Sequence, residues 1–118
     1  MDIFRADPSY QKWNLSGALN DDTSSAILEA LGLADPTKPT LFNINSEGGE
    51  ALISLGIAHE LYRVLPNLET RAVGWCASAA VTLLQGGHIR SSTPYVSFCT
   101  HPMKADQKDL TAQTAREF

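Results

Sequence analysis

Apolar residues come in short runs separated by polar, glycine and proline punctuation, and their spacing alternates between strand-like and helix-like periods. Trp13 to Leu19 predicts a first strand that ends in a kink at Gly17. Asp21-Asp22-Thr23-Ser24 then offers N-cap candidates for a helix from Ser25 to Leu31, ended by Gly32 and Asp35-Pro36. Thr40 to Asn45 predicts a buried strand. From Glu50 to Leu65 the apolar residues Leu52, Ile53, Ile57, Leu61, Val64 and Leu65 recur at helical spacing, and Pro66 stops the helix. Glu69 to Trp75 predicts a third strand, Ser78 to Gln85 a short helix, Gly86-Gly87 a turn and Tyr95 to Thr100 a fourth strand. The tail from Ala105 to Phe118 is polar, rich in helix formers and uncapped at its end. Strands alternating with helices of crossover length predict an α/β fold, with βαβ units on a mainly parallel sheet and sites at the carboxyl ends of its strands.

Composition narrows the possibilities. A chain of 118 residues that is 43% hydrophobic supports one globular core, so a single domain spanning 1–118 is expected. The net charge of −4, with Lys and Arg scattered, provides no basic stripe for a nucleic-acid backbone. No apolar run reaches the roughly 18 residues of a membrane span, and the start lacks the pattern of a signal peptide, so a cytoplasmic protein without a membrane partner is expected. The two cysteines, Cys76 and Cys99, sit in apolar strand-like contexts that suit reduced core thiols. Together with His101 they lack a paired-cysteine spacing and a fourth ligand, so no metal site is assigned.

Three strand ends carry the candidate chemistry. After Asn45, the stretch Asn45-Ser46-Glu47-Gly48-Gly49 places glycines where backbone N–H groups can approach a ligand. It reads either as an oxyanion cradle or as a plain strand-to-helix turn, and no Lys follows in the position a phosphate loop requires. After Trp75, the stretch Cys76-Ala77-Ser78-Ala79-Ala80 sets one hydroxyl among small residues at the start of a helix. Ser78 reads either as an N-cap, the commoner role of serine there, or as a nucleophile with the Ala79 N–H beside it. After Thr100, His101-Pro102 puts a histidine just past an apolar strand, where it could act as a general base. His59 and His88 read as surface or structural histidines.

Asn-Ser-x-Gly-Gly, Gly-x-x-Ala-Ser and His-Pro, in that order, resemble the proteolytic subunit of the Clp protease, a serine peptidase family. The resemblance runs from about Leu15 to about His101 and continues faintly through the tail, which looks like the start of that family's protruding helix. It implies a ClpP/crotonase-like spiral of βαβ units and an endopeptidase that cleaves peptide bonds through an acyl-Ser78 intermediate without a cofactor. It further implies Ser78 as nucleophile, His101 as general base, the N–H groups of Gly49 and Ala79 as oxyanion hole, and an extended polypeptide substrate along Gly48-Gly49. Stacked homo-oligomeric rings and an AAA+ ATPase partner belong to the same implication.

The sequence departs from the family pattern in places. Glu47 replaces the usual Pro and Ala79-Ala80 the common Met-Gly, a form similar to the phage and prophage branch. Only 17 residues follow His101, and no Asp among them matches the family's orienting carboxylate. The expectation is therefore a domain incomplete at its C-terminus, whose alternatives are a dyad enzyme and an inactive, assembling subunit. A crotonase-like enzyme acting on acyl-coenzyme A is a further alternative, which leaves Ser78 and His101 without a purpose.

Overall fold

The computed structural model of the chain describes residues 9–100. The predicted helical tail, His101, Asp106 and Asp109 lie outside the described residues. Five strands form one parallel sheet: β1 (Gln11–Ser16), β2 (Thr40–Ser46), β3 (Leu68–Ala77), β4 (Ile89–Ser92) and β5 (Ser97–Cys99). The helices are α1 (Asp21–Leu33), α2 (Ala51–Val64) and α3 (Ala79–Leu84). Strands β1, β2, β3 and β4 are neighbours in chain order, and β5 continues along the free side of β3 beyond β4. This is the α/β architecture with a mainly parallel sheet that the alternating periods predict.

Several boundaries and one strand differ from expectation: the strand expected over Tyr95 to Thr100 shortens to Ser97–Cys99, and β3 runs on to Ala77. Helix α1 starts at Asp21 rather than Ser25, because Asn20 is its cap: Asn20 Oδ1 accepts the Thr23 N–H at 3.0 Å while Thr23 Oγ1 accepts the Asn20 N–H at 2.8 Å. Asp21 and Asp22 thereby occupy the first turn, where negative charge meets the positive end of the helix dipole. The chain after Ser16 leaves the sheet at Gly17, and Leu19 returns as an isolated parallel bridge to Gly49. The unpredicted strand β4, Ile-Arg-Ser-Ser, is an exposed edge strand without apolar alternation. Polar contacts hold it: Ser91 Oγ and Arg71 Nη2 each donate to Glu69 Oε2 at 2.7 Å.

The centre of the sheet follows the hydrophobic pattern. Phe42 and Ile44 of β2 and Leu68 of β3 meet Leu61 of α2, Leu65 just beyond it and Leu83 of α3, all almost fully buried. Burial of each such side chain stabilises the fold by about 1.5–3 kcal/mol. Helix α2 faces this core with Ile57, Ala58 and Leu61. Leu52, expected on its apolar face, is instead 67% exposed, as is Leu55 at 59%. Ile53, Gly56 and His59 of α2 line an open groove of about 840 Å³ with them and with Leu28 of α1. No helix among the described residues is long and apolar enough to cross a membrane.

Candidate active site

Strands β2 and β3 end side by side, and their last residues carry the first two candidate motifs. Beyond β2 the chain turns sharply: Ser46, buried to 1% exposure, accepts the Gly48 N–H on its Oγ at 3.0 Å. Gly48 and Gly49 adopt φ of 97° and 153°, a region costly for residues with a Cβ. Space excludes a side chain as well. A Cβ on Gly48 would stand 2.6 Å from Ala77 O, 2.8 Å from Ser78 Cβ and 2.9 Å from Ala79 N, and one on Gly49 would collide with the Leu19 carbonyl. Gly48 O in turn accepts the Leu19 N–H at 2.8 Å, and Leu19 O the Glu50 N–H at 3.2 Å.

Ser78 links β3 to α3 with φ 56° and ψ −124°, outside both the helical and the extended regions. Its side chain makes no capping hydrogen bond, which sets aside the N-cap reading of this serine. The backbone is held from the other side, because the Ser78 N–H donates to Cys99 O at 2.7 Å. Among the described residues neither the Gly49 N–H nor the Ala79 N–H donates a hydrogen bond. The structure thus brings Gly48, Gly49, Ser78 and Ala79 into one cluster. His101 falls outside the described residues, two positions beyond Cys99 at the end of β5.

Two side chains that shape this cluster had no assigned role in the sequence. One is Ser46, whose hydroxyl fixes the glycine turn; a serine two residues before a glycine is the available signal. The other is Asn45, whose Oδ1 accepts the Trp75 N–H at 3.0 Å across the sheet, a contact with no local sequence signature.

The cysteines divide. Cys76 is fully buried and burial pushes its thiol up from the ordinary value. Cys99 corrects the expectation of two core thiols: it is exposed, since β5 is a three-residue strand with an open outer face. No cluster of three or more metal-capable side chains occurs among the described residues. His59 and His88 are both exposed; the His88 ring stacks on Tyr62 at 3.9 Å, with Nε2 2.8 Å from Tyr62 O.

A parallel sheet whose adjacent strand ends present a glycine turn and an off-region serine has counterparts among solved structures. A point mutant of ClpP1 from Listeria monocytogenes superposes with a TM-score of 0.77 at 20% identity, over 98% of this chain and 68% of that one. ClpP1 from the same organism gives 0.74 at 20% identity, over 90% of this chain and 64% of its own length. The fold is therefore the ClpP fold, and the chain spans about two thirds of those structures. The sequence model of Clp protease matches residues 9–115, and the chain belongs to the Clp protease family, a family of serine peptidases.

Proposed function

We propose that the chain is a serine endopeptidase subunit that cleaves peptide bonds through an acyl-Ser78 intermediate. The observation that carries this reading is Ser78 itself: a non-glycine residue in a strained conformation, its hydroxyl not spent on capping, packed against a glycine turn. In the proposed reaction His101 takes the Ser78 Oγ proton as Oγ attacks the scissile carbonyl, and the N–H groups of Gly49 and Ala79 receive the negative charge that develops on its oxygen. His101 then returns the proton to the leaving amine as the C–N bond breaks, and a water molecule hydrolyses the ester. An extended polypeptide is the substrate, pairing its backbone along Gly48-Gly49. No cofactor enters this chemistry.

Assembly of copies into a ring is part of the same proposal, as is delivery of substrate by an AAA+ ATPase in the cytoplasm. The exposed apolar groove of Leu28, Leu52 and Leu55 supports a copy-to-copy contact.

The test is incubation with a fluorophosphonate probe, followed by peptide mass spectrometry and a peptide-hydrolysis assay. A single adduct on Ser78, absent in Ser78→Ala and suppressed in His101→Ala, is expected. A folded chain that takes no adduct sinks the active-peptidase reading and leaves that of an inactive assembling subunit. Calorimetry with an acyl-coenzyme A should show no heat of binding.

A further inference from the structure

Strands β2 and β3 do not keep one register. Ile44 is paired with Ala72, whereas Ser46 is paired with Cys76, so β2 advances two residues while β3 advances four. Continuing the upstream register would set Gly48 beside Cys76 and leave Ser78 two residues, about 7 Å, further on. The shifted register instead sets Gly48 beside Ser78, in agreement with the 2.8 Å that would separate a Gly48 Cβ from Ser78 Cβ. Because the shift is even, the strand keeps the same face inward, and Ala72 and Cys76 are both fully buried.

A bulge of this kind leaves a ladder donor without its backbone partner. Asn45, the residue of β2 that stands at the shift, supplies the missing acceptor: its Oδ1 takes the Trp75 N–H at 3.0 Å. Its own carbonyl takes the Gly17 N–H at 3.0 Å, which ties the same residue to the end of β1. Gly74, with φ 73°, wraps closely around the amide; a Cβ there would lie 3.2 Å from Oδ1.

We propose that Asn45 is a positioning residue for the candidate active site: its side-chain oxygen holds the two-residue bulge in β3 and thereby sets the register that brings Ser78 beside the Gly48-Gly49 turn. Its functional meaning rests on the reading of Ser78 as nucleophile, whereas the register clamp stands on the geometry alone.

Two measurements on the full chain separate these levels. Amide hydrogen exchange of wild type should show Trp75 protected about hundredfold over an unstructured peptide, although the residue is half exposed. Exchange of that amide at the unstructured rate would overturn the clamp, whether or not any variant folds. The probe-labelling rate of Ser78 is then compared in Asn45→Ala and Asn45→Asp at about 1 M salt, where the added charge is screened within about 3 Å. Asn45→Ala should melt cooperatively but label about tenfold more slowly or worse and lose Trp75 protection, while Asn45→Asp, which keeps an oxygen in place, stays within about threefold of wild type. Equal labelling of wild type and Asn45→Ala, or an equal fall in both variants, overturns the assignment. If wild type takes no label, the proposed function fails on its own. The clamp is then judged by whether Asn45→Ala loses the Trp75 protection or keeps it.

Discussion

Holding Ser78 at φ 56° costs about 1–3 kcal/mol of backbone strain, which the Cys99 carbonyl and the Gly48 contact must offset. Gly48→Ala should therefore lower stability by about 2–3 kcal/mol and abolish probe labelling together, since every atom its methyl would meet belongs to the serine turn. Thermal melts and labelling rates of that one variant check both halves. If the proposed mechanism holds, hydrolysis should decline as pH falls below about 6–7, because a protonated His101 cannot accept the Ser78 proton. A flat profile over that range would remove His101 as base. At the cysteines, alkylation of the native chain should modify Cys99 and spare Cys76 until the fold opens, readable by mass spectrometry. Glycine and serine in ordered motifs made the meeting of Gly48, Gly49, Ser78 and Ala79 legible from the chain alone. Ser46 carried a local signal that went unused, since its donor is Gly48 two residues on, whereas Asn45 stayed silent because its donor is brought in by the fold from position 75.

Each helix and strand illustrates how far periodicity reaches. The helical spacing of residues 50 to 65 located α2 almost to the residue, and β2 likewise, since both carry strong apolar signals. β4 escaped because its four residues owe their place to Glu69 and Arg71 on the neighbouring strand rather than to burial. The cap of α1 moved to Asn20, and its start to Asp21, because several consecutive residues could cap and only a reciprocal bond to Thr23 decides between them. Asn20→Ala should cost about 1 kcal/mol and lower the melting temperature by about 4–6 °C without altering Ser78 labelling. A comparable loss of labelling would tie α1 to the site more closely than the structure does.

At the scale of the molecule, the apolar groove between α1 and α2 bears on the proposed contact between copies. Leu52→Glu should shift sedimentation toward smaller species at a given concentration while leaving the melt of the isolated domain within about 0.5 kcal/mol. The stitches around the serine also carry a consequence in time. Leu19 bonds the Gly48 turn, that turn abuts Ser78, and Ser78 bonds Cys99, so four strand ends spread along the chain from 19 to 99 must dock before the turn is complete. A chain emerging from the ribosome delivers these pieces in order, with the last arriving only after the core strands have been made. On the proposed function, the nucleophile's turn is therefore incomplete until β5 has been made. Ribosome-bound chains halted before β5 should accordingly refuse the fluorophosphonate probe, and accept it once β5 and His101 have cleared the exit tunnel.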